Sequence, residues 1–387
     1  MTRELRAVAV GEPLELLAAL REALSGEGPA ILPLPATENP PHDLEAVPIA
    51  VAVVIQTSGS MNAPKRVMLS ANALLASAAA SSGALGGPGQ WLLALPAHYV
   101  AGVQVLVRSI AAETSPVVLP PGSFDPVTFT QYAEALTEPL RFTSLVPAQL
   151  SRLFDAATEN PRVLAVLRRF TAILVGGQAV PPELVARAED LAVTVVRTYG
   201  SSETSGGCVY NGQPIGNTKI RVDDAGELHL SGAVLAEGYL GNPVLTAERF
   251  VDVHGERWYR TGDLGEVDPA TGEVRVLGRG DNVIISGGEK VSLDAVERVV
   301  RSLPGLADAV VVGVDDATWG TVPVVVIGRP ADRSAVDEEG VLTHVRDAVA
   351  ASLGKAARPS LVVIVPEIPL LASGKPDRMA VRSLASG

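Results

Sequence analysis

The stretch that most constrains this chain is residues 51–69, VAVVIQTSGSMNAPKRVML. Val51 to Gln56 is a short, apolar, β-branched run of the length of a buried strand. It breaks into Thr57, Ser58, Gly59 and Ser60, then Asn62, Ala63, Pro64 and Lys65, and a new apolar segment begins after Ser70, a residue able to cap a helix. A strand, a loop of hydroxyls and glycine with one lysine, and then a helix can cradle a phosphate. Small residues let backbone N–H groups approach the oxygens, hydroxyls donate, and Lys65 adds positive charge. The same residues also suit an ordinary Ser/Gly turn. The loop is not of the Walker type, because no Ser or Thr follows Lys65 and the glycine spacing is absent.

At 387 residues the chain suits two or three domains with a sizeable core. An apolar share of 47% against 19% charged excludes a disordered chain. The net charge of −12 argues against a general nucleic-acid-binding surface, so a nucleotide site needs local positive groups. A single cysteine, Cys208, excludes an intrachain disulfide framework and a cysteine-based zinc site. No leader-like or membrane-spanning apolar segment is evident, so a soluble, cytoplasmic protein is expected.

The first 50 residues read as a strand (5–10), a helix (13–24) and a Pro-rich surface connector, LPLPATENPPHDLEAVP. From 51 to about 200, strand-like and helix-like stretches alternate. Strands are expected at 51–56, 91–95, 116–119, 142–146, 172–175 and 193–197, and helices at 71–82, 102–112, 126–135, 148–156 and 182–191. Such alternation means a parallel sheet with helices on its faces, and ligands bind beyond the carboxyl ends of its strands.

The loops at those ends carry the candidates. One holds His98 between Pro96 and Gly102, and a lone histidine is more often a satisfied structural residue. Another is Gly176-Gly177-Gln178, which also suits a tight turn. A third, Thr198 to Thr204, places Tyr199, Gly200, Ser201, Ser202 and Glu203 together. A ring to stack a base, donors for phosphate and an acid for Mg²⁺ are what a nucleotide site needs, though a polar helix cap would look similar.

After about residue 214 the strands become short and alternating, as in an antiparallel, barrel-like segment, and Asp263 follows Tyr259-Arg260-Thr261-Gly262 within it. A carboxylate there can accept two ribose hydroxyls, or simply serve the turn. Glycines and charges at 278–290 suggest a bend, after which a small α+β unit runs to the end.

In order, TSGSxxxPK, xPxHxxxG, GG, YGxSE, YRTGD, GRxD, GG and SGK resemble the adenylate-forming acyl-CoA synthetase superfamily, from about residue 50 to residue 378. The short N-terminus, VPAQLSRLF, GGQAVPPEL and YGSSETSGG are similar to 2-succinylbenzoate–CoA ligases of menaquinone synthesis. The resemblance implies an α/β fold. A large N-terminal domain, residues 1–279, holds layered, mostly parallel sheets and the barrel-like segment. A hinge lies at 280–282, and a small mobile α+β C-terminal domain spans 283–387.

It further implies ATP, Mg²⁺ and coenzyme A. Thr57, Ser58, Ser60 and Lys65 match the loop for the ATP β- and γ-phosphates; Gly176, Gly177, Gln178, Tyr199 and Gly200 match the adenine pocket. Ser202 matches a phosphate donor, Glu203 the Mg²⁺ carboxylate, and Asp263 and Arg279 the ribose contacts. Asp281 matches the hinge residue and Lys375 the lysine that bridges carboxylate and α-phosphate. His98 matches the gate beside the acyl pocket, and Gly287 and Gly288 a segment beside pantetheine. For the second carboxylate of 2-succinylbenzoate a cation is needed. Ser144, Gln149 and Arg152 are the candidates, the last two sharing a helix face. The implied partners are a small carboxylic acid, ATP and CoA, without nucleic acid or a membrane span, and the chain is compatible with a homodimer.

The departure from the family pattern lies in the phosphate loop: Met61 replaces a hydroxyl, Asn62 and Arg66 replace glycines, and Arg66 adds charge. Three functions are therefore weighed: a 2-succinylbenzoate–CoA ligase, an adenylating enzyme for another acid or a carrier protein, and a non-catalytic nucleotide-binding descendant. Retention of Glu203, Asp263, Arg279 and Lys375 together weighs against the last.

Overall fold

The computed structural model describes residues 1–11, 13–41, 44–57, 65–329, 338–371 and 375–386. Two sheets with helices between and outside them form the N-terminal part. The first sheet has five strands in the order Gly238–Tyr239, Lys65–Ser70, Val51–Thr57, Ala30–Pro35, Leu5–Val10. The second has seven, with Ala172–Val175 parallel to both Arg141–Leu145 and Val195–Ser201, and Gly206–Tyr210 turning back antiparallel.

Two expectations change here. The connector is a surface loop only in part, because Ala30–Pro35 is a buried strand in parallel register with Leu5–Val10. Pro33 and Pro35 supply no N–H, and pairing with the Val51–Thr57 strand is confined to the Ile31–Val53 bridge. The residues after the phosphate loop return as a strand, Lys65–Ser70, antiparallel to Val51–Thr57. An unexpected strand therefore stands between residues 58–64 and the helix. The helix comes one strand later, at Ala71–Ala84, where Ser70 Oγ accepts from Ala73 N–H at 3.3 Å.

Helices Pro13–Ser25, Ala71–Ala84 and Val100–Ala111 fill the space between the two sheets, where one core cluster includes Leu20, Leu74, Leu106 and Phe142. A second cluster covers the other face of the seven-stranded sheet. Phe129, Phe154 and Leu167 bury it under helices Pro126–Ala133, Pro147–Glu159 and Pro161–Leu167. The last of these helices was not expected; Asn160 caps it through Oδ1, which accepts from Arg162 N–H at 3.1 Å.

The expected antiparallel segment is a five-stranded sheet in which the long strand Glu256–Val267 pairs with Glu227–Ser231, Phe250–Val253 and Val274–Arg279. The C-terminal unit is a separate five-stranded sheet with its own clusters on both faces. It opens on a hairpin of Val283–Ser286 and Glu289–Ser292, whose turn is Gly287 (φ +58°) and Gly288 (φ +86°). Both are left-handed conformations that suit glycine. Among the described residues no helix is long and apolar enough to cross a membrane.

Candidate active site

Adjacent strand ends build the floor. A Cβ on Gly176 would collide with the Thr198 hydroxyl, and one on Gly200 with the carbonyl of Gly206, so glycine is what lets these backbones close up. Gly177 is left-handed, at φ +82°, and a Cβ there would lie 3.3 Å from Lys375 Cε. The C-terminal unit thus extends Lys375 across Gly177 from a local hairpin in which Leu371 N–H donates to the Lys375 carbonyl at 2.8 Å.

Beside this floor lies a solvent-open cleft of about 490 Å³, lined by residues that include Lys65, Tyr199, Glu203, Arg249, Asp263 and Arg279. The register of the antiparallel sheet sets Asp263 opposite Arg279. Arg279 Nη1 donates to Asp263 Oδ1 at 3.2 Å, and its Nε and Nη2 each donate to Asp281 at 3.1 Å. Tyr199 donates its phenol to Asp263 Oδ2 at 2.7 Å. Across the cleft, Tyr239 donates to Glu203 Oε1 at 2.9 Å, and the Lys65 amine lies 5.8 Å from the centre of the Tyr239 ring.

Burial pushes the Asp263 carboxyl above its ordinary range, and the Tyr199 phenol and Arg279 pull it back. Burial also raises the phenols of Tyr199, Tyr239 and Tyr259, aided by Asp263 for the first and Glu203 for the other two, so all three remain donors. Arg279 is held charged chiefly by its bonds to Asp281. Lys375 is exposed as a residue, yet crowding at its amine lowers its pKa. The amine governs the titration, and the carboxylates of Asp263 and Glu203 act against that crowding.

The structure thus gathers Lys65, Tyr199, Gly200, Glu203, Asp263 and Arg279 around one cleft, with Gly177 and Lys375 beside it. Asp281 joins through Arg279, and Gly176 supports the floor. Ser58 and Ser60 lie outside the described residues. Thr57 closes the loop's hairpin, its hydroxyl donating to the Lys65 carbonyl at 3.3 Å. Ser201, not the expected Ser202, lines the cleft; Ser202 opens a short turn, Ser202–Thr204, and is buried. Gly287 and Gly288 form a hairpin turn in the C-terminal unit, where a Cβ on Gly287 would meet the Trp319 ring at 2.6 Å.

His98 is half-buried beside the Tyr99 ring, with its Nε2 enclosed and without a hydrogen-bond partner. Burial lowers its pKa, opposed by Glu38, so the ring favours the neutral form. Ser144 is buried in the Arg141–Leu145 strand. Two candidates for the substrate's second carboxylate, Gln149 and Arg152, do not line this cleft. The Gln149 amide is tied to backbone at both ends at the helix start, accepting from Val146 N–H at 3.1 Å and donating to the Ala94 carbonyl at 3.2 Å. Arg152 lies on the exposed side of that helix, where the charge it influences is Asp125, the cap of the next helix inward. Sharing a helix face did not bring either side chain into the cleft.

Tyr239, Tyr259, Thr261, Leu230 and Arg249 line the cleft without having been singled out. Tyr259 and Thr261 alternate with Asp263 along the strand Glu256–Val267, so alternation along that strand was the available signal.

Among the described residues, three possible cation ligands converge outside the cleft: Asp223, Glu227 and His229. Arg221 donates to His229 Nδ1, which leaves the neutral ring's proton on Nε2, and Arg260 donates to Glu227 Oε2 at 3.0 Å. Two guanidiniums at that spot make it an ion-pair cluster. Its evident work is structural, since Glu227 Oε1 accepts from Gly262 N–H at 2.8 Å next to Asp263.

The AMP-binding enzyme profile matches residues 8–240, and that of the AMP-binding enzyme C-terminal domain matches residues 295–375. A probable 2-succinylbenzoate–CoA ligase of Mycobacterium tuberculosis is 37% identical over 374 residues, covering 95% of this chain and 94% of that protein. A variant of E. coli MenE with bound OSB-AMS superposes with a TM-score of 0.75 at 25% identity, covering 99% of this chain and 87% of that one. ATP-bound MatB from Rhodopseudomonas palustris shares the fold at a TM-score of 0.80 and 21% identity, covering 99% of this chain and 89% of that one. The two matched segments take in the phosphate-loop hairpin, the cleft floor and Lys375, and on these grounds the chain belongs to the AMP-binding enzyme family.

Proposed function

We propose that this protein is an AMP-forming acid–thiol ligase that activates 2-succinylbenzoate with ATP and passes the acyl group to coenzyme A, a step of menaquinone synthesis. The observation that carries the reading is the placement of Lys375: it crosses Gly177 and its amine feels both Asp263 and Glu203. That is where a cation must stand to serve a carboxylate attacking the α-phosphorus. The similarity to the mycobacterial ligase over nearly its whole length supports the choice of acid.

In this reading the adenine lies along Tyr199, whose phenol is fixed to Asp263, and the ribose hydroxyls donate to the Asp263 carboxylate. Lys65 faces the phosphate chain, beside the Tyr239 ring. The residues fit a Mg²⁺ ion. Glu203 Oε1 is held by Tyr239, its other oxygen has no hydrogen bond among the described residues, and the cleft has room for phosphate oxygens and water as remaining ligands. When bound, the ion supplies charge neutralisation for the phosphates, and Glu203 would hold it.

The substrate carboxylate attacks the α-phosphorus and the bond to pyrophosphate breaks. Charge on the phosphoryl oxygens falls within reach of Lys375, kept protonated against its crowding by the two carboxylates. In the second half-reaction the thiol of CoA adds to the acyl carbonyl carbon and AMP leaves. Lys375 is then not needed, and rotation at 280–282 would bring the Gly287–Gly288 turn toward pantetheine. His98, half-buried with a free Nε2, would stand between the acyl pocket and the thiol's approach.

Pyrophosphate release with a panel of acids, with and without CoA, tests the proposal. The expected result is release that depends on 2-succinylbenzoate, and thioester only when CoA is present. A second reading, the same chemistry on another acid, draws on one observation: neither Gln149, bonded to Val146 N–H and the Ala94 carbonyl, nor the exposed Arg152 lines the cleft. A monocarboxylate preferred over 2-succinylbenzoate would establish it.

A further inference from the structure

Three cations line the cleft, and they differ in what already holds them. Arg279 is bound by Asp263 and Asp281. Lys65 stands over the Tyr239 ring. Arg249 closes the short helix Pro243–Arg249, which Asn242 caps, and its guanidinium turns inward. Its Nε is enclosed without a hydrogen-bond partner among the described residues. Glu248 lies 3.6 Å away with a side chain that is 58% exposed, and the charge of Arg249 also reaches Asp281, which Arg279 already binds.

Gly262 explains how two guanidiniums come together here. It is left-handed, at φ +75°, and a Cβ on it would lie 3.2 Å from Arg249 Nη1 and 3.3 Å from Arg279 Nη2. Two like charges therefore meet over one glycine, and among the described residues only Arg279 has carboxylates hydrogen-bonded to it. The pairing of Arg249 with Glu248 is solvent-exposed and therefore weak, and a planar guanidinium is matched in shape to a phosphate.

We propose that Arg249 binds the β- and γ-phosphates of ATP, as the cleft's second phosphate cation beside Lys65. The inference rests on the reading of this cleft as an ATP site. Tyr199 and Asp263 mark the nucleoside end, and Lys375 approaches the α-phosphate from the Gly177 side. Arg249 enters from the Tyr239 and Tyr259 wall, and its charge is felt at the Tyr239 phenol that holds Glu203. That leaves the distal phosphates as its partner.

The test compares equilibrium binding of Mg·ATP and of AMP to the full-length protein and to Arg249→Leu and Arg249→Lys. Arg249→Leu is expected to weaken ATP by roughly tenfold or more, as for loss of a charge-assisted contact, and to leave AMP within about twofold. Arg249→Lys keeps the charge and stem but not the fork, and should fall between. It carries the comparison if the leucine variant does not fold. Equal weakening of ATP and AMP, or no weakening of either, overturns the assignment. A parent protein that fails to bind ATP at all removes the ATP reading itself. A parent that binds ATP, with both variants unchanged, removes only the role of Arg249.

Discussion

Tyr199 and Asp263, 64 residues apart, share a hydrogen bond of 2.7 Å that joins the seven-stranded sheet to the antiparallel one at the cleft. The bond does two things. It aims the Asp263 carboxylate, and it draws down a pKa that burial raises. Tyr199→Phe keeps the ring and removes the donor. A hydrogen bond to a charged group contributes about 1.5–3 kcal/mol, so KM for ATP should rise roughly 10- to 100-fold. The sign of the pH effect follows from the same bond. Asp263 accepts ribose hydroxyls only when ionised, so ATP use falls as pH drops through its pKa. Without the phenol that pKa moves up, and the acid limb of kcat/KM should shift to higher pH. An unshifted limb would mean that Asp263 is not the titrating group.

The Lys375 amine carries the opposite dependence. Its crowding lowers the pKa, so the protonated form is lost at a lower pH than for a free lysine. The adenylation rate should accordingly fall on the basic side before ordinary lysines titrate, while thioester formation from preformed acyl-adenylate should not. Lys375→Ala should reduce adenylation by about 10²–10³-fold and spare the second step. Equal loss in both half-reactions would place Lys375 in a structural role.

How far the sequence foretold this site depends on whether a residue acts through the backbone's path or through its side chain's final direction. Gly176, Tyr199 and Glu203 lie at or just beyond the carboxyl ends of parallel strands, which converge on one edge of an α/β sheet, so their grouping could be read in order along the chain. Asp263 sits within a strand of the antiparallel sheet and was legible only through its motif. The strand Lys65–Ser70 was missed because it is short, opens on two charged residues and ends on Ser70, which is itself the cap of the next helix. The buried strand Ala30–Pro35 was hidden by its two prolines, which normally mark loops. Arg249 and Tyr239 were out of reach for another reason. Each reaches the cleft only because Gly238–Tyr239 pairs with the strand at Val67–Met68, and nothing local announces that pairing.

That same pairing separates Lys65 from Arg66. Residues 65, 67 and 69 face inward, with Val67 and Leu69 in the central core, whereas Met68 packs on the outer cluster. Arg66 alternates with Lys65 and so belongs to the outer face, and it is not among the residues lining the cleft. Lys65→Ala should raise KM for ATP by roughly tenfold or more, as expected for a phosphate-facing cation. Arg66→Gly should leave it within about twofold. A large effect of Arg66→Gly on ATP but not on stability would show that its charge reaches the phosphates after all.

Gln149 and Arg152 separate a structural role from a binding one. The Gln149 side chain is bonded at both ends to backbone, at Val146 N–H and at the Ala94 carbonyl, and so ties the start of the Pro147–Glu159 helix to the end of the neighbouring strand. Gln149→Leu leaves two backbone groups without partners. The loss of such a helix-start contact is typically about 1 kcal/mol, which for a domain of this size lowers Tm by roughly 2–4 °C. KM for the acid should change little, because both ends of the amide are held on backbone and the side chain does not line the cleft. Arg152→Leu should affect neither quantity strongly, since its side chain is exposed and its electrostatic neighbour, Asp125, has its own bonds to Thr128. Thermal unfolding and acid-dependent kinetics on both variants decide the matter. A rise in KM for 2-succinylbenzoate with Arg152→Leu, at unchanged Tm and unchanged KM for ATP, would return that arginine to the substrate site.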